Sequence, residues 1–246
     1  MVDNFERIKE FIKTNSKIEK GDFWYVSVMK RRKENPDLKK DVYVIQNFFF
    51  YSVDDFDKYK DHIVSLCQEN NARAYIRINK RNDTKIALQT IRIAIEEILS
   101  GNYRPKFEIT ATEEPQKSLE AIKVITDAIS NGDYSLCRYS HLSACGQFAS
   151  DPVKKWVIDV DDKTIFEDVK TFLANITTIL LTLPTKNGYH FITTGFNPDL
   201  LYKTITETVI ECDKYGNEEE RQIVRKVPIF KDVDVKKDSP TILYTI

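Results

Sequence analysis

The run Lys154-Lys155-Trp156-Val157-Ile158-Asp159-Val160-Asp161-Asp162 passes from two cations through an apolar block to three acids. The apolar block reads as a buried strand with its acids at the far end. Alternate side chains of a strand share a face, so Asp159 and Asp161 project together, while Asp162 points away or opens the next turn. Two carboxylates side by side repel each other unless something positive lies between them. A hard divalent cation such as Mg²⁺ or Mn²⁺ takes oxygen ligands of this kind. The competing reading is that the acids merely end the strand and cap a helix starting near Thr164.

Downstream, the pattern predicts a helix over 164–174 and a strand over 176–183. A turn at Pro184-Thr185-Lys186-Asn187-Gly188 follows, and then a strand over 189–194 that carries His190. His190 is one of three histidines. Lys186, Asn187 and Gly188 give it a polar, flexible approach that could admit a phosphate. Residues 197–208 read as helical at first, with Leu200, Leu201 and Ile205 inward. Residues 211–221 read as charged and exposed, with a turn at Gly216-Asn217. In the tail, Asp232 and Asp234 share a face, and a last strand is predicted over 241–246.

Upstream, Phe5, Ile8, Phe11 and Ile12 predict an amphipathic helix within 3–20. Residues 23–29 and 42–51 read as strands joined by a basic hairpin loop that includes Lys30-Arg31-Arg32-Lys33. A helix is expected from about Asp54, a strand over 73–79, and a periodic helix over 84–99 that stops at Ser100-Gly101-Asn102. In the 73–79 strand, Ala74, Ile76 and Ile78 face one way and Arg73, Tyr75, Arg77 and Asn79 the other. With Arg81 just beyond, Arg73, Arg77 and Arg81 form a candidate nucleic-acid-binding face, or else the polar side of a half-buried strand. A short strand over 107–110 and a helix over 118–129 follow.

Residues 134–149 read as irregular and hold Cys137, His141 and Cys145. That array could offer three ligands to Zn²⁺, but its spacing is not that of the usual structural sites and no fourth ligand follows nearby. Ordinary buried thiols are the competing reading. Lys plus Arg number 37 and Asp plus Glu 38, so a basic site must be local. No apolar run reaches membrane length and no signal sequence opens the chain, which predicts a cytoplasmic protein without a membrane partner.

Three carboxylates, a histidine and a lysine suit nucleotidyl transfer. One metal ion would ease attack by a 3′-hydroxyl, another would stabilise the departing pyrophosphate, and His190 and Lys186 would meet the phosphates.

In order, these motifs resemble the archaeo-eukaryotic primase (primase-polymerase) superfamily. Ile158-Asp159-Val160-Asp161 is similar to its first motif, Gly188-Tyr189-His190 to its second, and Val233-Asp234 to its third. The resemblance covers about residues 150–246. It implies an α+β chain: an RRM-like catalytic module with a mostly antiparallel sheet over about 134–246, packed with an N-terminal α/β module over about 1–133. It further implies DNA-template-dependent primer synthesis or extension from nucleoside triphosphates with two Mg²⁺ or Mn²⁺ ions. Asp159, Asp161 and Asp234 would be the catalytic metal ligands, and His190, with Lys186 and Gly188, the nucleotide contact. The second motif usually has Ser where Gly188 stands, and Asp232 competes with Asp234 for the third. The sequence has no Walker-type loop, so unwinding would fall to a partner such as a replicative helicase.

Two alternatives stand beside it. An Asp-x-Asp metal-dependent phosphohydrolase would want Gly and Thr straight after the second acid, whereas Asp162 and Lys163 come before Thr164. A nucleic-acid-binding accessory protein without catalysis would use the acids as fold features and the arginine face as its contact.

Overall fold

The computed structural model describes residues 1–102, 114–212 and 218–246, and the side chains of all of these but 114, 115, 208–212 and 218–221. The strand expected over 107–110 and the turn at Gly216-Asn217 lie outside the described residues. The chain is α+β with antiparallel sheets, and it divides into two compact units, 1–154 with 238–246, and 155–237. The second unit is therefore inserted in the first. Its boundary falls later than the expected 133/134, and the last strand returns to the first unit.

The first unit contains β1 (Val2–Asp3), α1 (Phe5–Asn15), β2 (Asp22–Arg31), β3 (Val42–Phe50), α2 (Asp55–Asn70), β4 (Arg73–Arg77) and β5 (Arg81–Asn82). It continues with α3 (Asp83–Leu99), α4 (Glu114–Ser130) and α5 (Ser135–Gln147), and closes with β12 (Pro240–Thr245). Its sheet runs β1-β12-β4-β2-β3, with β5 paired to β2, and every pairing is antiparallel. The antiparallel pairing makes this unit α+β rather than α/β.

Strand parity decides the layers. Trp24, Val26, Val28, Phe48, Phe50, Ala74 and Ile76 are buried, as are the apolar stripes of α1 and α2, whose Phe5 and Phe56 pack edge to face. Phe50 meets the same Phe56 from the sheet. On the opposite parity, Phe23 and Tyr25 pack with Ile86 and Ile93 of α3 and with Ala144 and Cys145 of α5. The segment expected to be irregular at 134–149 is thus mostly the helix α5. Its inward positions Leu136, Ser140 and Ala144 recur every fourth residue but are mostly small or polar, so they leave little apolar signal.

The second unit contains β6 (Trp156–Val160), a 3₁₀ turn (Lys163–Ile165), α6 (Phe166–Ile176), β7 (Ile179–Pro184) and β8 (Tyr189–Thr193). A 3₁₀ turn (Pro198–Leu201), β9 (Tyr202–Cys212), β10 (Glu218–Pro228) and β11 (Val233–Lys237) complete it. Its sheet runs β11-β6-β8-β7, all antiparallel. Ile158, Val160 and Phe191 pack on Val169 and Leu173 of α6, with Val233 and Val235 against the same cluster. The helical start expected from Asn197 is only a 3₁₀ turn capped by Asn197, after which the chain enters the two-stranded ribbon β9-β10. Leu200 is exposed and Ile205 half-buried, so only Leu201 fulfils the inward assignment. The first and last strands of the unit are register partners, with Trp156 opposite Lys237. No helix among the described residues is long and apolar enough to cross a membrane.

Candidate active site

Because Ile158 and Val160 point toward α6, Asp159 must project from the other face of β6. Register then sets its neighbours. Asp234 of β11 lies directly opposite Asp159 on one side, and His190 of β8 lies directly opposite on the other. Three residues from separate stretches of chain thus form one row across three adjacent strands. His190 Nε2 donates to Asp159 Oδ1 at 3.0 Å, which assigns the proton to that nitrogen because a carboxylate only accepts.

Lys236, two residues after Asp234 and so on the same face, completes the cluster. Its Nζ donates to Asp159 Oδ2 at 2.7 Å and lies 3.4 Å from Asp234 Oδ2. Burial alone would push the Asp159 carboxyl up, but His190 and then Lys236, by hydrogen bond and by charge, outweigh it and hold the group well below the usual carboxylate range. For Lys236 burial acts downward and is outweighed by the bond and charge of Asp159, helped by Asp234, so its ammonium is held above its ordinary value. Lys236 is the residue that motif reading missed. Its only sequence signal is the Asp-x-Lys alternation in β11.

Asp161 stands one row further on, exposed and beyond the end of β6, where its N–H donates to the Asp232 carbonyl at 3.2 Å. The two candidates for the third carboxylate therefore separate: Asp234 belongs to the row of Asp159, Asp232 to that of Asp161. Asp162 is spent locally, its Oδ1 accepting from the backbone N–H and the hydroxyl of Thr164. The capping interpretation holds for this acid and not for Asp159.

Lys186 is exposed at the tip of the β7–β8 hairpin, whose turn is closed by the Gly188 N–H donating to Thr185 Oγ1 at 2.9 Å. Gly188 lies against the end of β6, and a Cβ there would come 1.7 Å from the Val160 carbonyl oxygen. A side chain at position 188 would not fit on this backbone.

Among the described residues, no group of three or more His, Cys, Asp or Glu side chains is gathered to hold a metal ion. The oxygen donors of Asp159 and Asp234 suit Mg²⁺ or Mn²⁺ chemically, and the place between them is filled by the Lys236 ammonium. Zinc has less support. His141 Nε2 is 3.7 Å from Cys145 Sγ on α5, but Cys145 is buried and its thiol is pushed up to about 12, chiefly by burial.

Of the two readings of the arginine face, the observed partners fit the polar side of a half-buried strand. Arg73 pairs with Glu34 at 2.6 Å, and Arg77, partly buried, donates to the Asp238 carbonyl. Arg81 is wholly buried, its Nη1 and Nη2 donating to Asp238 Oδ1 and Oδ2 at 3.1 and 2.9 Å and its Nε to the Cys145 carbonyl. These guanidiniums are engaged within the first unit, and of the three only Arg81 is closed to solvent.

No family model, no curated protein and no solved structure matches the chain.

Proposed function

We propose that this chain is a DNA-template-dependent nucleotidyltransferase of the primase-polymerase kind, with its chemistry in residues 155–237. The observation that carries this reading is the single row Asp234, Asp159, His190, since motifs matched only by their order along the chain meet on one sheet face. The strand order adds support. Taken in chain order, β6, β7, β8 and β11 lie fourth-first-third-second across the sheet, the arrangement of an RRM-like βαββαβ module. The ribbon β9-β10 stands where such a module would have its second helix.

In this reading Asp159 and Asp234, with Asp161 at the open end of β6, would hold Mg²⁺ or Mn²⁺. Such ions, when bound, would lower the charge barrier between a 3′-hydroxyl and a nucleoside triphosphate. His190 orients the Asp159 carboxylate through its Nε2–H, and exposed Lys186 is available to phosphate oxygens. A replicative helicase is a partner of the kind this chemistry would need.

One observation favours the accessory, non-catalytic reading: Lys236 already bridges the acid pair with a positive charge. The phosphohydrolase loses ground because Thr164 is tied into the Asp162 cap. Purified protein with Mn²⁺, single-stranded DNA template and labelled ribo- or deoxynucleotides separates these readings. Incorporation is expected, reduced about a hundredfold or more in Asp159→Ala and Asp234→Ala, as loss of several kcal/mol of metal-borne stabilisation requires. A folded wild-type protein that incorporates neither nucleotide type would leave the accessory reading.

A further inference from the structure

We propose that Lys236 is a built-in counter-cation that occupies the acid pair until a divalent metal ion displaces it. This rests on the reading of Asp159 and Asp234 as metal ligands. Asp159 and Asp234 are directly opposed across β6 and β11, a placement in which like charges destabilise a sheet. The ammonium that relieves this repulsion reaches both carboxylates at once, at 2.7 and 3.4 Å. A metal ion between the same oxygens would meet that ammonium at close range, so the two cations exclude each other.

The side chain is also one that can leave. Lysine carries a compact, strongly hydrated charge on a flexible stem, and the Lys236 side chain is 38% exposed, with a path to water. A buried ion pair of the first unit, Arg81 with Asp238, is built differently. Arg81 is 0% exposed and grips both oxygens of Asp238, a fork that stays in place. The partly exposed ammonium at the acid pair has room to leave, whereas the buried guanidinium is enclosed.

The full chain and its Lys236→Met and Lys236→Gln variants are titrated with Mn²⁺, following free Mn²⁺ by electron paramagnetic resonance and the melting temperature in parallel. Removing one positive charge at contact distance is expected to tighten Mn²⁺ binding by about tenfold or more. Without metal the variants melt lower than wild type, and with saturating Mn²⁺ the gap closes. Adding Asp159→Asn to either variant abolishes the gain. Wild type and both folded variants binding Mn²⁺ equally, or the variants binding it more weakly, would overturn the exchange of cations while leaving the metal site. Absence of Mn²⁺ binding in all three would overturn the metal-site reading itself, and the exchange with it.

Discussion

A methyl group on Gly188 would contact not only the Val160 carbonyl oxygen but also the carbonyl carbons of Val160 and Asp161, at 2.8 and 3.1 Å. All three are backbone atoms at or just beyond the end of the strand that carries Asp159, so relief requires moving the end of β6 or the hairpin turn. Gly188→Ala is therefore expected to cost about 3 kcal/mol, the upper range for overpacking, read as a lowered urea midpoint. Asp159 gives a pH signature. Its folded carboxyl lies below the ordinary value of 3.8, so its contribution is complete above that value and is lost as pH falls through the folded one. The stability gap between wild type and Asp159→Asn should be constant from pH 5 to 9 by this group's account and narrow below about pH 4. Lys236 adds the mirror case, complete below its ordinary 10.5 and lost only as pH rises past its raised folded value. At this scale the sequence singled out Asp159, Asp234 and His190, which share one row, because each belongs to a recognisable short pattern. It hid Lys236, because a lysine two residues after an acid acquires meaning only when register sets both beside Asp159.

Among the elements, parity along β4 was legible, since Ala74 and Ile76 are buried and Arg73, Tyr75 and Arg77 alternate with them. The fate of the polar parity was not, because the partners Glu34 and Asp238 are remote in sequence. Helix α5 escaped for a different reason: Ser140 and Ala144 fill its inward face without the large apolar side chains that give a helix its period. Asp238 sits between β11 and β12 at φ 51°, a left-handed conformation that residues other than glycine adopt rarely, Asn and Asp most readily. There it accepts from Arg81 and from Asn79 Nδ2 at 2.9 Å. Asp238→Ala would leave the Arg81 guanidinium buried without its carboxylate, and thermal or urea unfolding should register a loss of about 3 kcal/mol or more. Asp238→Asn, which tolerates the same backbone and keeps one acceptor, should lose less.

For the molecule as a whole, local pattern recovered most helices and most strands of the two larger sheets, but it missed the ribbon β9-β10 and misassigned the last strand. Thr241–Tyr244 reads like any half-buried strand, and nothing within it says that β12 belongs between β1 and β4 rather than in the sheet of β6. Pairing between the ends of a chain is decided by register and shared burial, which no short window contains. The same applies to the unit boundary, which lacks a Gly- or Ser-rich linker to mark it. Both crossings are secured instead by the link after β4. The Lys80 carbonyl accepts from Ser150 N–H at 2.8 Å and its N–H donates to Asp151 Oδ2 at 2.9 Å, while Asn79 and Arg81 hold Asp238.

With Trp156 and Lys237 side by side, the polypeptide departs from its host and comes home through a single doorway. A cassette with such a doorway can be lengthened, exchanged or deleted without re-threading the sheet it interrupts. Residues 155–237 are accordingly where this architecture gives descent, or an engineer, the most freedom for change while the frame is kept.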